Sequence, residues 1–84
     1  MSAKEIIRHI EAGVLLVWEA GRRPEAILIS PSVYRVIAQH MGKPSVNFLS
    51  VKTFKLAVFV NRWVPPDHIY IGGIELAELG LYTL

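Results

Sequence analysis

The chain has no cysteine in its 84 residues. That excludes a disulfide framework, a thiolate nucleophile and cysteine-ligated zinc. It also lacks any apolar run close to the about 18–20 residues that cross a bilayer. The longest near-continuous runs are Val14 to Trp18 and Leu56 to Val60, so no membrane partner is expected. The first residues show no basic, apolar and small-residue order of a secretory signal, and the expected location is cytoplasmic. Internal repeats and low-complexity segments are absent. Charge of one sign is missing from two long stretches. Residues 26 to 62 contain no acid but hold Arg35, Lys43, Lys52, Lys55 and Arg62. Residues 63 to 84 contain no Lys or Arg but hold Asp67, Glu75 and Glu78. Such asymmetry steers a chain toward an anionic partner or toward head-to-tail copies of itself.

Hydrophobic residues are abundant: 52% of the chain, with a mean hydropathy of +0.39. A chain of this size makes one small domain, residues 1–84, and hides only about 60% of its unfolded surface. The surplus of apolar side chains implies surface that another chain covers, either a second copy or another assembly protein.

Ser2 to Glu5 reads as a capping box. Ile6, Ile10, Val14 and Val17 follow at helical spacing, which predicts one amphipathic helix from Ala3 to Ala20 with Gly21 as its stop. A competing reading ends the helix at Gly13 and makes "VLLVW" a strand. The single helix is preferred because a helical glycine costs only about 1 kcal/mol. A short strand, Ala26 to Ile29, comes next. Ser30, Pro31, Gly42 and Pro44 then cap, open, stop and block a second helix, whose apolar stripe is Val33, Val36, Ile37 and Met41. "SVNFLSV" predicts a strand. "TFKLAVFVN" predicts another, with Phe54, Leu56, Val58 and Val60 on one face. Phe59 falls on its second face, which implies that this face too is partly covered. After "PPD" the chain resumes as "HIYIGG", a short strand with Ile69 and Ile71 inward. Residues 74–84 mix both periods and receive no assignment. The fold class is therefore α+β: two helices packed on a largely antiparallel sheet of about four strands.

Candidate chemistry is sparse. Asp67 and His68 are adjacent, and neighbours on a strand point to opposite faces, so they make a poor acid–base pair unless the turn bends them together. His9, His40 and His68 lack the spacing of a zinc site. Gly72–Gly73 lacks the rest of any phosphate-binding fingerprint. No catalytic, cofactor-binding or metal-ligating set is expected, and the chain reads as non-enzymatic. Trp63, Val64, Pro65 and Pro66 form an apolar shoulder on a stiff elbow and are the candidate contact residues. The alternative is nucleic-acid binding through Arg35, Lys43, Lys52, Lys55 and Arg62, with Phe54, Phe59 and Trp63 interleaved.

Two stretches, "RPEAILISPSVYRVIAQHMG" and "FKLAVFVNRWVPPDHIYIGG", resemble in order and spacing phrases of the tailed-phage major capsid protein fold, which encapsulin shells share. The likeness spans Val14 to Gly73. A subunit of that family is several times longer and carries an arm and a projecting loop that this chain cannot contain. The resemblance therefore implies a free-standing relative of one domain, or a shell or virion accessory. It further implies symmetric self-assembly without catalysis, a virion-associated location if phage-encoded, and subunit contacts near Pro65 to His68 and Gly72 to Gly73.

Overall fold

A computed structural model describes residues 1–78 and the backbone of residues 81–82. The capping box forms: Ser2 Oγ accepts from the Glu5 amide and Glu5 Oε1 accepts from the Ser2 amide, each at 3.2 Å. From that start a single helix, α1 (Ala3–Glu19), runs through Gly13 and Val14–Trp18, so "VLLVW" is helix and not strand. Gly21 at φ 82° ends it, and the Arg22 amide folds back to the Val17 carbonyl at 3.1 Å. The second helix, α2 (Pro31–Met41), is bounded as its sequence dictates. Ser30 Oγ accepts from the Val33 amide at 3.2 Å, a cap that contributes about 1 kcal/mol. Gly42 at φ 65° closes the other end, with the Lys43 amide on the Ala38 carbonyl at 3.1 Å.

The strands are β1 (Ala26–Ile29), β2 (Phe48–Val51), β3 (Phe54–Val60), β4 (Ile69–Gly72) and a two-residue β5 (Leu81–Tyr82). Their order is β2-β3-β1-β4, with β5 beside β3. Three of the four pairings are antiparallel, as expected of a largely antiparallel sheet. The central pairing is parallel: Ala26 faces Ala57 and Ile29 faces Val60. Between β1 and β3 the chain passes through α2 and β2, the crossover that any parallel pair requires. Being central and covered on both faces, β1 is buried at all four positions. That burial explains its unbroken "AILI", since a strand wet on one face would alternate.

The main core lies between the helices and one face of the sheet. Ile6, Ile10 and Val14 of α1, with Val33 and Ile37 of α2, meet Ile27, Ile29, Leu49, Leu56 and Val58. Ile69 and Ile71 pack at its margin, inward as expected. A Cβ on Gly13 would land on Ile71 Cδ1, so α1 crosses β4 where the helix has no side chain. The second face holds a smaller core of Ala26, Leu28, Ala57, Phe59 and Val64. A 3-10 turn at Ile74–Glu78 covers it through Leu76 and Ala77. Phe59 is thus buried on the second face, as its alternation predicts. The radius of gyration is 11.5 Å, against about 12 Å for a single domain of this length.

Candidate interaction surfaces

The elbow between β3 and β4 is built by short local bonds. The Asn61 amide donates to the Ile29 carbonyl at 3.1 Å, which carries the parallel ladder one residue past β3. The Val64 amide then turns back to the Asn61 carbonyl at 3.3 Å, and the His68 amide reaches the Pro65 carbonyl at 3.0 Å. These two turns separate neighbours that look alike in sequence. Trp63 is 54% exposed, whereas Val64 is 2% exposed and belongs to the second core. The expectation that Val64 offers itself to a partner is therefore corrected. The turn from Asn61 rotates its side chain under the elbow, against Leu28 and Phe59. Pro65 is half-buried and Pro66 exposed.

Trp63 is not alone. Its ring lies 6.2 Å from that of Tyr70, and the His68 ring stacks on Tyr70 at 6.3 Å with an interplanar angle of 17°. Tyr70 stands on the second face of the sheet, opposite Leu28, and is exposed. The elbow bends enough to bring His68 Nδ1 within 3.6 Å of Asp67 Oδ1, but both side chains face solvent. That distance is too long for a hydrogen bond. Solvent screens an exposed pair of this kind. Gly73 is engaged locally, its amide donating to Glu75 Oε1 at 3.2 Å.

A second surface lies at the other end of β3, roughly 20 Å away for a strand of this length. Residues Leu15, Leu16 and Trp18 of α1 are exposed at 43%, 68% and 56%. The Trp18 ring tilts against Phe54 at 5.4 Å. Between α1 and the β2–β3 hairpin runs an open groove of about 510 Å3, lined by Leu15, Trp18, Arg23, Lys52, Thr53 and Phe54. Its lining holds two cations, one hydroxyl, and neither carboxylate nor imidazole. The hairpin is tight: Val51 pairs with Phe54, leaving Lys52 and Thr53 as the turn. Lys52 sits at φ 56°, in the left-handed region that such turns ordinarily give to Gly or Asn. Sequence reading singled out neither this groove nor Tyr70. The signal was present, because Leu15, Leu16 and Trp18 fall off the stripe of Ile6, Ile10, Val14 and Val17.

The five basic residues of the alternative reading do not share a surface. Lys52 is at the hairpin and Arg62 beyond the opposite end of β3. Arg35 is on α2, over the helix-covered face of the sheet. Lys55 is on the other face, with its Nζ 4.5 Å above the Phe48 ring. Lys43 is exposed just after the helix stop. His9 and His40 are exposed on α1 and α2, and among the described residues no three His, Asp or Glu side chains converge as a metal site would need. No helix among the described residues is long and apolar enough to cross a membrane. No family model matches the chain, and neither a curated relative nor a solved structure matches it significantly.

Proposed function

We propose that this chain is a non-enzymatic protein-interaction module, one that assembles with copies of itself or docks into a larger assembly. One observation carries the reading: five of the eight large apolar side chains exposed among the described residues gather at two ends of the molecule. Trp63 and Tyr70 mark the elbow; Leu15, Leu16 and Trp18 mark the other end. Singly scattered apolar residues are ordinary on a protein surface, but aromatic clusters on rigid supports are how protein contacts are anchored. The elbow support is stiff, since Pro65 and Pro66 fix two φ angles and Val64 is locked into the second core. Two patches on opposite ends and opposite faces of the sheet suit a protomer that meets two neighbours. The likeness of residues 14–73 to tailed-phage shell proteins is in keeping with a phage-related assembly role.

The test is light scattering after size exclusion, at low and at high salt, on the unmodified chain and on Trp63→Ala. An oligomer that persists in high salt and shrinks in the variant supports the reading. A monomer up to millimolar concentration that also recovers no assembly partner refutes it. Including a single-stranded oligonucleotide tests the alternative, since binding with a steep salt dependence would transfer the function to nucleic acid.

A further inference from the structure

The groove between α1 and the β2–β3 hairpin has a chemistry that the elbow lacks. Its floor is apolar, formed by Leu15, Trp18 and Phe54, and its rim carries Arg23 and Lys52 with no acid among the lining residues. From this geometry we infer that the groove docks an acidic peptide segment of a partner protein, anchored by an aromatic or aliphatic side chain. The inference rests on reading the chain as an interaction module, but it concerns a different surface from Trp63.

Charge complementarity selects the occupant. A segment whose carboxylates alternate with a Phe or Leu can set that side chain on Trp18 and Phe54 while its acids meet the two cations. A cationic segment would be repelled by Arg23 and Lys52. A nucleic-acid strand fits less well, because it needs a run of cations to follow its phosphates and the groove lining supplies two. The Trp18 and Phe54 rings also touch each other at 5.4 Å, which leaves no slot between them for a base. The backbone supplies an independent argument. Lys52 is the one non-glycine residue with positive φ among those described, and it sits at the groove rim. A lysine is strained in the left-handed region, where glycine would not be. Strain held at a surface position whose side chain serves no part of the core points to a use for that side chain.

The experiment is a titration of the unmodified chain, followed by 1H–15N NMR, with an acetylated and amidated peptide of alternating Glu and Leu around a central Phe. Three controls accompany it: the same peptide with Lys for Glu, an all-Glu peptide, and an oligothymidylate of similar length. The expected result is saturable movement of the Trp18 indole and of the Lys52 and Thr53 amides with the Glu/Leu/Phe peptide alone. Reversing both rim charges, Arg23→Glu with Lys52→Glu, should weaken that binding about tenfold or more. Leu15→Ala should weaken it as well while the remaining spectrum stays that of the folded chain. Absence of binding, equal binding of the Lys peptide or the oligonucleotide, or indifference to the charge reversal would each overturn the inference. Any of these results obtained while Trp63→Ala still changes the oligomer would remove the groove proposal and leave the interaction module standing.

Discussion

Substituting Gly13 by alanine sets two effects of similar size against each other, and the geometry says how they combine. Within an exposed helix the change would stabilise by about 1 kcal/mol, because glycine is the costlier residue there. Here the new Cβ meets Ile71 Cδ1, with Ile71 Cγ1 at 3.5 Å behind it. The obstruction is the tip of a side chain, so it can yield, but only by leaving its rotamer or pushing α1 from β4, at about 1–3 kcal/mol. Gly13→Ala alone should therefore be neutral to about 2 kcal/mol destabilising. Ile71→Val removes the obstructing methyl and, from a half-buried position, costs about 0.5–1 kcal/mol. Together the two changes should come close to the parent, giving a favourable coupling equal to the relieved clash, about 1–3 kcal/mol. Urea denaturation of the four proteins measures it, with unchanged m values required throughout. Additivity within about 0.5 kcal/mol would refute the close approach. So would a Gly13→Ala protein stabilised by the full helix-propensity term.

Three further outcomes follow from other sites. Val64→Ala should cost about 1.5–3 kcal/mol, since it empties a fully buried position, whereas Trp63→Ala should leave thermal stability within about 0.5 kcal/mol and alter association only; equal losses at both would contradict their opposite orientations. Lys52→Gly should raise stability by about 0.5–1 kcal/mol, the relief of left-handed strain less the added freedom of the unfolded chain, and a drop in the urea midpoint would show that the strain is not there. The Ser2 amide donating to its carboxylate, aided by the Ser2 hydroxyl, holds Glu5 below the ordinary carboxylate range. A depressed folded-state value means that the stabilising contribution is present above the ordinary carboxylate value and fades as pH falls through the lowered one. An NMR pH titration of Glu5 should therefore show a lowered midpoint that Ser2→Ala raises only in part, because the amide of residue 2 still donates, and identical midpoints in the two proteins would dismiss the share of the Ser2 hydroxyl.

What could be read from the sequence, and what could not, divides along physical lines. Both helices were legible because their ends are written in local chemistry: Ser2 and Glu5 at one start, Ser30 and Pro31 at the other, Gly21 and Gly42 at the stops. The parallel pairing of β1 with β3 was not legible, because Ala26 meets Ala57 across thirty intervening positions and no local pattern encodes that choice. The inward turn of Val64 escaped for a related reason, since alternation holds along a strand and lapses in the turn after Asn61. The 3-10 turn at Ile74–Glu78 has too few residues for any period to show. The ambiguity at Val14–Trp18 is of another kind. "VLLVW" resembles a buried strand because a helix in that position ought to show polar residues on its outer face, and this one shows Leu15, Leu16 and Trp18. Two residues of that break, Leu15 and Trp18, line the groove with Phe54 and Lys52. A sequence departs from the rules of its own fold where something besides folding acts on it. By that argument the surface to test first is the end of α1, where an apolar outer face breaks the pattern of an amphipathic helix.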